Sequence, residues 1–299
     1  MNEGSVPRGC LFASAVVFLG AACGGGTARS STPGLFDDGV APLRIADRSV
    51  ATGNPRVRVR DVSFPGRRGR VYGYLAVPTT THGRLGSVVL LHGTGGSRRD
   101  FLPYAVTLAG RGLAALTLTA PSSTAPAPAS GLGPRAVVKR EQQLAVDDVG
   151  AVRRAVDFLQ TRPSLDPRRI GLLGWSSGAR TGAVVAGVER RIRAFVLMSG
   201  GALPVSDYVK VAPVALRADI RKSLGAVDPL RWIARARPGT LLLENGRHDE
   251  IVPRRALLAL AHAAPPGTTL RWYDAGHRLN RKAVSAQSTW LLKRLAGTR

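Results

Sequence analysis

The sequence predicts an α/β fold: a mostly parallel central sheet, helices on both faces and an N-terminal antiparallel hairpin. Two observations carry that prediction. A pair of strand-like stretches joined by a Gly/Arg turn opens the folded part, and strand-like and helix-like runs then alternate to the end of the chain. Repeated strand–helix units return the chain to a parallel sheet and leave helices to cover both of its faces.

The elements follow in order. Residues 57–64 (VRVRDVSF) and 70–78 (RVYGYLAVP) read as the hairpin, with Pro65 and Gly66 punctuating its turn. The run 87–93 (SVVLLHG) is short and continuously apolar, as a strand buried on both faces must be. A helix over 101–110 and a strand over 113–121 come next, and the Pro/Ser/Ala-rich stretch 121–134 reads as loop. In 141–160 the apolar residues at 144, 145, 149, 152, 156 and 159 line one face of a helix. Strands over 169–175, 193–201, 239–246 and 268–276 complete the sheet, with helices starting in 177–188 and spanning 253–264 and 283–295. The segment 202–238 is short enough to predict an open or lightly capped site without a large lid domain. In such sheets ligands and reacting groups gather at the carboxyl ends of the strands.

Composition narrows the function classes. The 299 residues suffice for one large domain, expected over 56–299, and show no internal repeat. The formal net charge of +24 invites a polyanion partner, but only 5 of the 43 basic residues are lysine and the arginines are scattered. Without an RNA-binding aromatic motif or zinc-finger spacing, no nucleic-acid partner is expected, and contact with an anionic envelope surface is the better outlet for the charge. The two cysteines, Cys10 and Cys23, lie outside that domain, which excludes a disulfide framework and a cysteine metal site in it.

Residues 10–22 (CLFASAVVFLGAA) form an apolar run too short to span a bilayer, which suits the core of a signal peptide over 1–23. The run LGAAC resembles a lipoprotein cleavage site with Cys23 as the lipidated residue, although Gly20 stands where that pattern carries leucine. Simple cleavage after Ala21 or Ala22 is the alternative. The expectation is therefore export, as an anchored lipoprotein or a secreted or periplasmic protein, with 24–55 as a flexible tether and linker.

Gly174-Trp175-Ser176-Ser177-Gly178 fits G-x-S-x-G, a weak signal alone in a chain with 35 glycines. Its place strengthens it: a sharp turn from strand 169–175 into a helix lifts the serine oxygen above the sheet. A serine nucleophile needs a base, and the base an orienting acid. His277 is the histidine just beyond a late strand's carboxyl end, and Asp249 follows the preceding strand. Asp274 and Glu244 are rival acids and His248 a rival base. His92 belongs to the loop LLHGTGG (90–96), while His82 and His262 read as ordinary residues. Trp175 reads equally as pocket wall or core.

Together LLHGTGG, LDPRRIGLLGWSSGA, NGRHDEIVP and DAGH resemble the dienelactone-hydrolase-like and acetyl-xylan-esterase-like branch of the α/β-hydrolases, over roughly residues 70–295. The resemblance implies the α/β-hydrolase fold, the chain order Ser176, Asp249, His277, and no metal or organic cofactor. It also implies an oxyanion hole built from the backbone N–H groups of Thr94 and Ser177. The name-giving dienelactone hydrolases use cysteine where this chain has Ser176, so hydrolysis of a small-molecule carboxylic ester is the expected activity. Ala179-Arg180 also follow Gly178 where many relatives carry glycines. A serine peptidase or thioesterase on the same scaffold, or a catalytically inactive envelope binding protein, are the alternatives.

Overall fold

The computed structural model describes residues 34–36, 42–81, 83–128 and 130–296. The elements are β1 (Ala46–Val50), β2 (Val57–Pro65), β3 (Arg70–Pro78), β4 (Leu85–Leu91), α1 (Leu102–Gly110), β5 (Ala114–Leu118), α2 (Pro121–Thr124) and α3 (Pro134–Gln160). They continue with β6 (Leu165–Trp175), α4 (Ser177–Val188), β7 (Ile192–Met198), α5 (Val205–Val211), α6 (Arg217–Ala226) and α7 (Pro229–Ile233). The chain ends in β8 (Leu241–Gly246), α8 (Arg254–Ala263), β9 (Thr269–Tyr273) and α9 (Arg281–Leu295).

The strands form one sheet in the order β1-β2-β3-β5-β4-β6-β7-β8-β9. Strands β1, β2, β3 and β5 pair antiparallel, and every pairing from β5–β4 to β8–β9 is parallel. The hairpin register runs from Val57 opposite Pro78 to Pro65 opposite Arg70, as the turn at Pro65-Gly66 requires. This is the α/β-hydrolase fold.

The apolar run of β4 shows why its sequence lacks polar alternation. Val89 and Leu91 face a core formed with α3, α4, α7 and α8, whereas Val88 and Leu90 face a second core under α1 and α9. Side chains alternate faces along a strand, so a strand covered on both sides needs an apolar residue at each position. Burying each such side chain contributes about 1.5–3 kcal/mol. In α3 the buried Val146, Val149, Val152, Val156 and Leu159 recur at helical spacing against the sheet.

Three differences from the sequence expectation have physical causes. Helix α3 starts at Pro134, seven residues earlier than its amphipathic pattern, because its first turns face solvent and a proline fits the first helical position. The stretch 121–134 is not all loop, since α2 occupies its first four residues. Residues 24–55 are not wholly tether: β1 extends the sheet beside β2, and Phe36 is buried edge-on against Trp232 at 5.3 Å. Strand β1 escaped prediction because an edge strand exposed on both faces carries no apolar alternation. The expected leader 1–23, its Cys23, and His82 lie outside the described residues. Within 202–238, α5, α6 and α7 form a small helical excursion from the carboxyl end of β7, and Arg135 of α3 pairs with Asp219 of α6 at 3.0 Å.

Candidate active site

Ser176 occupies the turn between β6 and α4 with φ 57° and ψ −117°, a region that side-chain-bearing residues rarely adopt. Its N–H donates to Met198 O at 2.9 Å, and its carbonyl accepts from the N–H groups of Ala179 and Arg180 at 3.0 and 3.1 Å. Two glycines admit this turn. A Cβ at position 174 would stand 2.3 Å from Gly178 O, and one at 178 would stand 2.6 Å from the carbonyl oxygens of Leu91 and His92. The spacing G-x-S-x-G is thus a demand for close backbone approach on both sides of the serine.

His277 lies in the loop after β9 and Asp249 in the loop after β8. Nδ1 of His277 stands 2.9 Å from Asp249 Oδ2 and 3.0 Å from Oδ1, with both side chains buried. Asp249 Oδ1 also accepts the N–H groups of Ile251 and Val252 at 3.0 and 2.8 Å, which fixes the orientation of the carboxylate. A carboxylate on Nδ1 assigns the ring proton to that nitrogen and leaves Nε2 as the basic lone pair. The peptide of His277 is held as well: its carbonyl accepts from Trp175 Nε1 at 3.0 Å and Ser199 Oγ at 2.9 Å, and its N–H donates to Glu250 Oε2 at 3.1 Å. Trp175, the residue before Ser176, tilts against the imidazole with ring centroids 5.2 Å apart. Its indole also abuts Gly93, where a Cβ would come within 2.9 Å of it and 3.3 Å of Ser176 Cβ. Ser176, the turn at Gly93 and His277 therefore meet around one indole. Among the described residues no hydrogen bond joins Ser176 Oγ to His277; in unliganded sites such bonds are often long and tighten with substrate.

Residues 93–96 form a tight turn closed by Gly96 N–H donating to Gly93 O at 3.1 Å. Thr94 is exposed on this turn. Ser177 opens α4, so its N–H is one of those an α-helix leaves without an internal acceptor. The two backbone groups expected to bind an oxyanion thus flank the serine on a turn and on a helix N-terminus.

The rival residues are committed to other contacts. His248 Nε2 and Asp274 Oδ1 pair with each other at 2.8 Å on the exposed surface. Glu244 is fully buried in β8 and accepts from Tyr273 Oη at 2.5 Å; burial pushes its carboxyl up and Tyr273 up to about 12. Residues that sequence reasoning did not single out support the site. Ser199 and Glu250 clamp His277, and Arg98 anchors the segment after the turn at 93–96. Asp148 accepts from Ser122 N–H at 2.9 Å and Ser122 Oγ at 2.7 Å, and burial pushes it up to about 6 despite those bonds. It shares with His92, Ser177 and Thr181 the wall of a recess of about 10 Å³, room for no more than one water. Contacts of this kind pair residues distant in the chain and leave no motif. Among the described residues no group of three or more His, Cys, Asp or Glu side chains could hold a metal ion.

A profile of the alpha/beta hydrolase family matches residues 88–293. The chain belongs to this family. No curated protein matches it by sequence. Among solved structures, this alpha/beta hydrolase is similar to an acetyl xylan esterase from a Paenibacillus species, at 18% identity and a TM-score of 0.73 over 85% of this chain and 90% of that one. It is also similar to acetyl xylan esterase 1 from a Thermoanaerobacterium species, at 18% identity and a TM-score of 0.71 over 88% and 92% of the two chains. A cold-adapted esterase from an Arctic intertidal metagenomic library matches at 20% identity with a TM-score of 0.60, over 83% of this chain and 97% of that one. At such identities the likeness concerns the fold.

Proposed function

We propose that the protein is an exported serine hydrolase of small-molecule carboxylic esters that works through an acyl-enzyme on Ser176. The observation that carries this reading is the buried Asp249–His277 pair, which leaves Nε2 as a base on a residue that Trp175 ties to the strained turn of Ser176. Ser176 Oγ attacks the ester carbonyl as its proton passes to His277 Nε2. The oxyanion is bound by the N–H groups of Thr94 and Ser177, donors held in place before charge develops. His277 gives the proton to the departing alcohol, and water then cleaves the acyl-enzyme by the same route in reverse. Asp249 keeps the imidazole in its productive tautomer and stabilises the imidazolium. The names of the acetyl xylan esterases and the cold-adapted esterase support ester chemistry.

Export rests on the apolar run 10–22, and anchoring on lipidation of Cys23; the charge of +24 suits an anionic envelope surface. A fluorophosphonate probe tests the activity: it labels the wild type and leaves Ser176→Ala unlabelled. Labelling that survives this substitution, or a wild type that never labels, removes the proposal. The mass of the mature amino terminus tests the anchor, which an unmodified start elsewhere than Cys23 excludes.

A further inference from the structure

Glu250 is an acid in a strongly basic chain, with 43 Lys and Arg against 19 Asp and Glu, yet it forms no ion pair among the described residues. Although the residue is exposed, its carboxylate turns inward and accepts the backbone N–H of His277 at 3.1 Å. It lies flat against the preceding peptide, since a Cβ at Gly276 would come within 2.8 Å of Glu250 Oε2. Two consecutive carboxylates thus straddle one histidine, Asp249 on its ring and Glu250 on its main chain. On the other side of the same residue the carbonyl is held by neutral donors, Trp175 Nε1 and Ser199 Oγ.

We infer that Glu250 is a positioning residue for His277, fixing its backbone and adding a second negative charge beside the ring that becomes imidazolium. The inference rests on the proposed role of His277 as base. A charged acceptor holds an N–H more strongly than a neutral one, and a carboxylate near an imidazole favours its protonated form. The other titratable groups around the ring have contacts of their own. Asp249 bonds Nδ1, Arg278 lies over the far partner Trp175 at 5.3 Å, His248 and Asp274 bond each other at 2.8 Å, and His92 is tied into the Gly93 turn.

The test is the pH dependence of kcat and KM for the full chain on a short-chain aryl ester, comparing wild type, Glu250→Gln, Glu250→Ala and Ser176→Ala. Glutamine can still accept the N–H but carries no charge. Its acidic limb of kcat/KM is expected to move about 0.3–1 unit to lower pH, the sign for removing a negative neighbour from a base. With a less basic imidazole, kcat should fall about two- to fivefold with KM unchanged. Alanine also loses the clamp, so it should show the same displacement with a loss of about tenfold in kcat, since a small misplacement of a reacting group is costly. Limbs that coincide with wild type in both variants, whatever the loss of rate, overturn the inference while an active wild type silenced by Ser176→Ala leaves the proposed function standing. A wild type whose hydrolysis equals that of Ser176→Ala overturns both.

Discussion

The N–H of Ala120 donates to Nε2 of His92 at 3.0 Å, and this bond decides which way the neighbouring peptide faces. An accepting Nε2 leaves the ring proton on Nδ1, which stands 2.7 Å from Gly93 O and donates to it. The same carbonyl accepts Gly96 N–H at 3.1 Å. In a trans peptide the carbonyl and the N–H point in opposite directions, so anchoring Gly93 O aims the N–H of Thr94 away from His92. His92→Ala should therefore lower kcat by about 10- to 100-fold with little change in KM, less than the loss of a whole oxyanion donor. Thr94→Ala, which keeps the N–H, should stay within about threefold of wild type. Steady-state kinetics on an aryl ester checks both.

The parts of the fold visible in the sequence are those where burial dictates residue type. Strand β4 could be read from Val88–Leu91 because both of its faces are covered, and α3 from Val149, Val152 and Val156 because one face is. Strand β1 and the first turns of α3 lie in solvent, so nothing in their composition distinguishes them from linker. At the site, Ser176, Asp249 and His277 were marked by their positions after strands, whereas the 2.9 Å approach of Asp249 to His277 is a distance no pattern encodes. The roles of Ser199, Glu250 and Arg98 depend on where a side chain turns in three dimensions. A glutamate after an aspartate or a serine before two glycines is, as sequence, unremarked.

Gly178 offers a sharp test of the packing argument. A methyl group there would meet the carbonyl oxygens of Leu91 and His92 at 2.6 Å, and both belong to a central strand and the loop it carries. Backbone cannot yield as a side-chain tip can, so Gly178→Ala should destabilise the protein by about 2–4 kcal/mol. Gly110→Ala is the control: nothing lies near its Cβ position, and alanine in a helix should leave stability equal or slightly raised. Thermal unfolding should therefore show a lowered midpoint for Gly178→Ala and an unchanged or slightly raised one for Gly110→Ala.

Asp148 ties the start of α2 to α3 through both hydrogen-bonding groups of Ser122. Burial raises its carboxyl from an ordinary 3.8 to about 6, so between those values the folded protein holds a proton that the unfolded chain has lost. Stability from this group is accordingly full below pH 3.8 and declines as pH rises through about 6. Asp148→Asn removes the charge and keeps an acceptor for the Ser122 N–H. Its unfolding free energy from denaturant titration should exceed that of wild type at pH 8 by about 1–2 kcal/mol once partial solvation is allowed for, and the gap should close at pH 4. A constant gap across that range would assign the effect to some other group.

Asp61 of β2 lies between two arginines of unequal burial. It binds Arg98 through both oxygens, at 2.6 and 3.2 Å, and the far more exposed Arg48 at 2.8 Å. Burial opposes its ionisation, but the two guanidinium groups outweigh that and hold its carboxyl below the usual range. Arg98 in turn lies over the Tyr74 ring at 4.2 Å, and its N–H reaches Thr119 Oγ1 at 3.1 Å, fixing the segment that follows the turn at Gly93–Gly96. Asp61→Asn leaves the Arg98 cation sheltered with only carbonyl and ring faces as partners. It should cost about 1–3 kcal/mol, below the figure for a fully buried broken pair because water reaches Arg48. Arg48→Gln should cost under about 0.5 kcal/mol, as exposed pairs do. Because the carboxyl is depressed, its contribution is present above the ordinary value of 3.8 and is lost as pH falls through the lower folded value. Denaturation curves for wild type and Asp61→Asn should thus converge in strong acid, whereas esterase rates at neutral pH should fall in Asp61→Asn and not in Arg48→Gln, because only Arg98 connects this ion pair to the loop at the site.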